Sequence, residues 1–280
     1  MKLFHFLSYL LFLCTVFSAN AQGLTREQVD DTIENMPSFS IHKNNYFITG
    51  IPLNRSVSEN ADAKYQISFK QLLTRNTLPL NTYLFLTYTQ KAFWDLYSFS
   101  SPFSEINFNP GIGLGKPIFN KDDKLMALAY LEYEHESNGR DSIYSRTWNR
   151  ISLSFETAVN SRTTVRLKGW LPFRYKVDNP DLLEYMGYGE VNISYDLNPE
   201  KWILDLQLRK GNNFDDWKGS LRAQLFYHPF KLNNQYLMLE WYNGYGENLI
   251  NYDEFRSMIR VGYVIKSNNL NFFKFSGSYN

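Results

Sequence analysis

The stretch Lys201–Lys210, with the sequence KWILDLQLRK, alternates apolar and polar residues with a period of two. Four apolar side chains fall on one face of an extended chain, and the polar side chains that alternate with them fall on the other: Trp202, Leu204, Leu206 and Leu208 against Asp205, Gln207 and Arg209. Successive side chains of a β-strand point to opposite faces, so the pattern predicts a strand with one apolar face. Arg256–Lys266, RSMIRVGYVIK, repeats this alternation.

Similar alternation recurs along most of the chain. Further stretches of this kind begin near Lys64, Asn81, Ile106, Lys124, Trp148, Thr164, Tyr188, Lys218, Gln235 and Leu270. Together they predict about twelve strands of roughly ten residues, which is the length that a tilted strand needs to cross a lipid bilayer.

Short connections alternate with long ones between these strands. The predicted short turns are Thr74–Leu78, Phe119–Asp123, Asn160–Arg162, Asn198–Glu200, Lys231–Asn234 and Ser267–Asn269. The predicted long loops are Lys91–Glu105, Glu136–Thr147, Arg174–Gly187, Lys210–Asp216 and Gly244–Phe255. Short turns at one rim and long loops at the other are typical of outer-membrane barrels.

A soluble β-sandwich is the main alternative, because its strands also alternate apolar and polar residues. The strand length and the even strand number favour a barrel, and so does the aromatic content of 22 Phe, 20 Tyr and 6 Trp among 280 residues. The predicted fold class is therefore all-β, a single transmembrane antiparallel β-barrel of the outer-membrane type.

The charge balance limits the choice of partner. The chain has 29 Lys and Arg against 28 Asp and Glu, which gives a formal net charge of +1. Binding to nucleic acid requires a basic patch or tail, so the sequence argues against a nucleic-acid partner.

The N-terminus has the features of a secretory signal peptide, which we place at Met1–Ala21. Lys2 supplies the positive start, an apolar stretch follows, and Ala19-Asn20-Ala21 matches a cleavage site. The only cysteine, Cys14, lies inside this segment, so the mature chain would contain no disulfide. Beyond it we expect an N-terminal periplasmic or rim segment over residues 22–63 and a barrel over residues 64–280, in the bacterial outer membrane.

The residues that suggest chemistry lie in two neighbouring strands and the loop between them. His135 and Ser137 occur two residues apart in the run EHESNGR, so they share one face of a strand, as a base and its nucleophile must. That face also carries Leu125, Ala127, Ala129, Leu131 and Tyr133. On the next strand, Asn149 shares its face with Ile151, Leu153 and Phe155. All three polar residues should therefore project from the apolar outer surface, where polar groups are costly unless they serve a function.

Simpler interpretations of these residues remain open. A histidine near a strand end is usually a rim residue, and Ser-Asn-Gly is an ordinary turn sequence. The lumen-facing charges fit either an enzyme or a catalytically inactive barrel that acts as a small channel or structural protein: Glu132, Glu156, Arg150, Asp205, Arg209 and Arg260.

Seven motifs in order make the sequence resemble the outer-membrane phospholipase A family. They are Tyr88-Thr89-Gln90-Lys91, Ser101-Pro102-Phe103, Asn107-Phe108-Asn109-Pro110, His135-x-Ser137-Asn138-Gly139-Arg140, Ser145-Arg146-x-Trp148-Asn149-Arg150, Asp178-Asn179-Pro180-Asp181 and Gly244-Tyr245-Gly246-Glu247. The resemblance implies a twelve-stranded barrel that hydrolyses acyl esters of phospholipids as a phospholipase A1/A2 and lysophospholipase. It also implies dependence on calcium and a homodimer as the active form.

The resemblance further implies roles for individual residues. Ser137 would be the nucleophile, His135 the general base and Asn149 the residue that orients the imidazole, an arrangement also found as Cys-His-Asn. The implied calcium ligands are the carbonyl of Arg140, the hydroxyl of Ser145, and Ser101 of the partner subunit, with Asp178 used in the resting monomer. Asp141 lies one place earlier than the family pattern and is assigned no role.

Gln90 is the residue that suggests where two copies would meet. Strand parity places it on the outer face with Leu84, Leu86 and Tyr88. We expect an amide facing acyl chains to lack partners there, and a second copy of Gln90 across a two-fold axis would supply one. Gln90 is therefore the predicted centre of the dimer interface.

Overall fold

The computed structural model describes residues 23–56, 61–75, 77–198, 201–229, 234–267 and 272. The predicted signal peptide and the strand predicted near Leu270 lie outside these described residues.

Most of the described chain forms antiparallel β-strands. The strands are β1 Phe39–Ile41, β2 Asn45–Pro52, β3 Asp62–Leu72, β4 Tyr83–Trp94, β5 Phe103–Phe119, β6 Leu125–Ser137, β7 Thr147–Asn160, β8 Thr163–Phe173, β9 Gly189–Asn198, β10 Trp202–Lys210, β11 Gly219–Tyr227, β12 Gln235–Gly244 and β13 Arg256–Ile265. The helices are α1 Arg26–Glu34, α2 Leu182–Met186 and a short 3₁₀ turn at Ser142–Tyr144. No helix in the described parts of the chain is long and apolar enough to cross a membrane.

The sheet closes into a barrel of 12 strands, β2 to β13. Each strand pairs with its sequence neighbour, and β13 pairs with β2 along Met258–Ile265. β1 occupies the edge of β3 beyond β2, where Phe39–Ile41 pairs with Phe69–Gln71. The predicted fold, an all-β antiparallel barrel of about twelve strands, is confirmed.

The boundary that we placed at Lys64 is too late, because β2 is already a barrel strand. Tyr46 and Ile48 are buried in the barrel, whereas Phe47 is exposed on its outer face. Gly50 weakens the apolar pattern, and the packing requires it: a Cβ atom there would lie 1.8 Å from the carbonyl oxygen of Ile259 on β13. Because this close contact requires a glycine, the apolar alternation of β2 is interrupted, and the sequence pattern did not predict a full strand.

The helix α1 closes the short-turn end of the barrel. A capping box begins it, with Thr25 and Gln28 exchanging side-chain and backbone hydrogen bonds. Val29 and Ile33 are fully buried in an apolar cluster with residues at the short-turn ends of several strands. The strand members of that cluster are Leu72, Tyr83, Phe85, Leu125, Leu128 and Ala158. A second apolar cluster fills the long-loop end and contains Trp148, Trp170, Leu182, Met186, Leu249 and Tyr252.

Between these two clusters the lumen holds charged groups. Arg260 binds Asp62 at 2.7 Å and Glu247 at 2.6 Å, and Lys64 contacts both Glu247 and Glu240. A cavity of about 430 Å³ lies beside this network. Glu247 lies in the β12–β13 loop; burial alone would raise its pKa, but Arg260 and Lys64 hold that pKa below its ordinary value. These charged side chains thus pair with one another inside the barrel.

Candidate active site

β6 and β7 place His135 and Asn149 directly opposite each other. The two residues form a cross-strand pair, and the imidazole Nδ1 lies 3.0 Å from Asn149 Oδ1. An amide oxygen only accepts hydrogen bonds, so Nδ1 must carry the imidazole proton. In the neutral ring the other nitrogen, Nε2, is then unprotonated and is available as a base.

A third side chain meets the same oxygen. The hydroxyl of Tyr133 donates to Asn149 Oδ1 at 3.0 Å. Strand parity placed Tyr133 on this face. The sequence indicated no role for it, because the residue pattern does not show which group its hydroxyl contacts.

Ser137 is the last residue of β6 and lies two residues beyond His135, on the same face of the strand. It is half-buried and pairs with Thr147 on β7 and with Phe108 on β5. Within the described chain its hydroxyl makes no hydrogen bond, so the serine and the imidazole are neighbours that are not yet hydrogen-bonded. Catalytic hydrogen bonds are often long in enzymes without substrate.

These residues face outward, as the strand parity predicted. Leu131 is 48% exposed on their side of β6, whereas Glu132 on the opposite side is 4% exposed. Leu125 is an exception to the predicted face, because it is buried inside the barrel against α1. A β-bulge at Ile118/Phe119, opposite the start of β6, reverses the parity there.

The loop between β6 and β7 is organised by Asn138, which is buried. Its side-chain amide donates to the carbonyl of Tyr144, and its Oδ1 accepts from the backbone N–H groups of Arg140 and Arg146. The carbonyl of Arg140 and the hydroxyl of Ser145 lie within this loop and make no hydrogen bonds to other described residues. The guanidinium of Arg140 reaches the carbonyl of Ser104 and the buried Glu105 carboxylate. Sequence reasoning assigned no function to Asn138, although its place in the motif was visible.

Asp178 lies in the β8–β9 loop beside Asn179, which is fully buried. The amide of Asn179 donates to the carbonyl of Thr147 at 2.6 Å, so this loop contacts the strand that follows Ser145. Farther along, the hydroxyl of Tyr252 donates to Asp181. Burial, and then this bond to Asp181, raise the pKa of Tyr252. The β8–β9 loop is therefore held at two points.

Ser101 lies in the β4–β5 loop and is bound within it. Its hydroxyl donates to the carbonyl of Leu96 at 2.9 Å, and its carbonyl accepts from the indole of Trp94. No group of three or more His, Cys, Asp or Glu side chains in the described residues could hold a metal ion.

Gln90 does lie on the outer face, but our reason for singling it out is wrong. Its Oε1 accepts from the hydroxyl of Tyr88 at 3.0 Å, and its Nε2 donates to the hydroxyl of Tyr65 at 3.4 Å. Two tyrosines of the same chain thus engage the amide oxygen and one of its two N–H groups, so the amide does not lack partners as we expected. Gln90 as the centre of the dimer interface stays a prediction.

Comparison with known proteins identifies the family. Residues 27–265 match the family model described as phospholipase A1. The chain belongs to the phospholipase A1 family. Phospholipase A1 of Salmonella typhimurium is 34% identical over 217 residues, which cover 74% of this chain and 72% of that one. Phospholipase A1 of Escherichia coli K12 is 33% identical over the same length and coverage.

Solved structures of the phospholipase A1 family agree with the barrel. Outer membrane phospholipase A from Escherichia coli superposes with a TM-score of 0.75 at 28% identity, over 85% of this chain and 98% of that chain. The Salmonella typhi outer membrane phospholipase, described as a dimer with bound calcium, gives a TM-score of 0.74 at 28% identity, over 83% and 94%. The predicted family, the enzyme class and the outer-membrane location are confirmed.

Proposed function

We propose that the chain hydrolyses acyl esters of phospholipids at its lipid-facing surface, with Ser137 as nucleophile, His135 as base and Asn149 as the residue that orients the base. The observation that carries this proposal is the hydrogen bond from His135 to Asn149 on the outer face, with Ser137 beside it. A site of this kind has no purpose in a channel. It suits a substrate that already lies in the bilayer.

The reaction needs two acyl transfers. Ser137 Oγ attacks the ester carbonyl carbon while Nε2 of His135 takes the hydroxyl proton, and the imidazolium Nδ1–H stays bonded to Asn149. The tetrahedral intermediate then expels the lysophospholipid alkoxide, which receives that proton. Water attacks the acyl-serine by the same route, with His135 again taking and returning a proton, and the fatty acid leaves. A lysophospholipid could enter the same cycle.

The rim beside the serine suits a calcium ion. The Arg140 carbonyl and the Ser145 hydroxyl are hard oxygen donors that make no hydrogen bonds to other described residues, and calcium prefers such oxygens. Bound there, calcium would stabilise the negative charge that develops on the substrate oxygen. Calcium takes six to eight ligands, so Ser101 of the partner subunit and water would supply the others.

Dimerisation is part of this proposal. A relative of 28% identity is described as a dimer with bound calcium. If Ser101 of the partner subunit completes the site, the homodimer is the active form. The monomer is the resting form, in which Asp178 would hold calcium instead. The signal peptide Met1–Ala21 would direct the chain to the bacterial outer membrane.

The proposed function is tested by release of fatty acid from phospholipid–detergent mixed micelles. We expect release with calcium, none with a chelator, and none from Ser137→Ala. Ser40→Ala, at the opposite end of the barrel, is the matched control and should keep full activity. Full activity in Ser137→Ala would overturn the proposal.

A catalytically inactive channel or structural barrel is the second candidate. Apolar clusters at both ends of the lumen disfavour the channel. Planar bilayers containing the purified protein should therefore show no steady single-channel conductance. Conductance together with no fatty-acid release would favour the channel.

A further inference from the structure

We propose that Tyr133 is a positioning residue of this site, and that its hydroxyl selects which way the Asn149 amide faces. This inference rests on the proposed function of the His135–Asn149 pair. By holding the amide oxygen toward the imidazole, Tyr133 would also select the tautomer of His135 that can act as a base.

The geometry brings two donors to a single oxygen. Tyr133 and His135 lie two residues apart on the same face of β6, and each lies 3.0 Å from Asn149 Oδ1. The tyrosine ring packs against Phe173 at a centroid distance of 6.1 Å. Phe173 in turn pairs with Asn149 from the other side, on β8. Tyr133 therefore reaches the Asn149 amide oxygen while its own ring is packed against Phe173.

An asparagine at position 149 needs a neighbouring group that fixes the orientation of its amide, whereas an aspartate would not. The two oxygens of a carboxylate are equivalent, so either one can accept from the imidazole. A rotated amide would instead present its nitrogen to Nδ1, which would then have to accept. The imidazole proton would move to Nε2, and the base would be lost.

The hydroxyl of Tyr133 makes the rotated amide unfavourable. In the observed arrangement its hydrogen is donated to Oδ1, which is its only hydrogen-bond acceptor among the described residues. With the amide rotated, that hydrogen would face an N–H group. The hydroxyl would then lose its one hydrogen bond to the described residues, which makes the rotated amide less favourable.

The test uses Tyr133→Phe, which keeps the ring and its packing and removes only the hydroxyl. We expect kcat on micellar phospholipid to fall about 3- to 20-fold, as loss of one hydrogen bond to the site predicts, with KM and the melting temperature unchanged. Tyr195→Phe is the matched control, because Tyr195 is an outer-face tyrosine on β9, away from the site. It should leave kcat unchanged.

Two further backgrounds show whether Tyr133 acts through Asn149. In Asn149→Ala, adding Tyr133→Phe should cause no further loss of kcat, since the amide is gone. In Asn149→Asp, the tyrosine substitution should also have little effect, because either carboxylate oxygen can accept. Unchanged kcat in the single variant, or an equal loss in all three backgrounds, would overturn the inference. A fully active Ser137→Ala would instead overturn the proposed function itself.

Discussion

At the scale of single residues, strand parity explains why most of the site residues lie on the same face. His135 and Ser137 share a face because they lie two residues apart on β6, and Asn149 meets His135 because the two strands pair in register. Parity cannot show where the end of a long side chain lies. The bond of Tyr133 to Asn149 and the two tyrosine partners of Gln90 therefore appear only in three dimensions.

Substitutions at these residues should give a graded loss of activity. Ser137→Ala and His135→Ala should each reduce fatty-acid release to near background, because nucleophile and base act as a unit. Asn149→Ala should leave reduced but measurable activity, because a neutral amide mainly orients the ring. Initial rates from mixed micelles measure this series. Equal loss in all three variants would contradict the orienting role.

At the scale of elements, the β6–β7 loop depends on one buried amide. Asn138 joins both ends of the loop that contains Arg140 and Ser145. We expect Asn138→Ala to raise the calcium concentration for half-maximal activity about tenfold, since residues that orient metal ligands have effects of this size. Activity measured across a calcium titration gives this value.

The control for Asn138 lies in another loop. The side chain of Asn213 accepts from the backbone N–H of Asp215 in the β10–β11 loop, which is a similar local bond. Asn213→Ala should leave the calcium dependence unchanged. An unchanged calcium dependence in Asn138→Ala would show that the loop does not need this bond.

α1 should contribute stability rather than chemistry. Ile33 is 0% exposed in the cluster that closes the short-turn end. Ile33→Ala should lower the free energy of unfolding by about 2–5 kcal/mol, because it removes buried methyl groups and leaves a cavity. Urea unfolding in detergent micelles, followed by circular dichroism, measures the change. Glu34→Ala, on the exposed side of the helix, is the control and should change the free energy of unfolding by less than about 0.5 kcal/mol. An equal loss of stability in both variants would contradict the packing role of Ile33.

Elements differ in how well the sequence reveals them. Strong alternation in Trp202–Lys210 and Arg256–Ile265 predicts two strands close to where they occur. β2 is shorter and contains Gly50, whose small size is needed by β13 rather than by β2 itself. The bulge that buries Leu125 likewise arises from pairing with a neighbouring strand. Such features depend on contacts between strands, which residue order alone does not contain.

At the scale of the whole molecule, calcium binding and dimerisation should be linked. If Ser101 of the partner subunit completes the site, each process must strengthen the other by the same factor. We expect calcium to bind more tightly at high dimer fraction than at low dimer fraction. Isothermal titration calorimetry with calcium, at two protein-to-detergent ratios, measures this difference in affinity. Equal affinities would remove the shared site from the proposal.

The most direct test of the central claim is covalent labelling of the proposed nucleophile. A sulfonyl fluoride should react with Ser137 in the calcium-loaded protein, because His135 activates that hydroxyl. Mass spectrometry of the peptide that contains Ser137 identifies the labelled residue. We expect labelling at Ser137 that is lost in His135→Ala and kept in the Tyr195→Phe control. Absence of label at Ser137 in protein that releases fatty acid, or labelling that persists in His135→Ala, would contradict it.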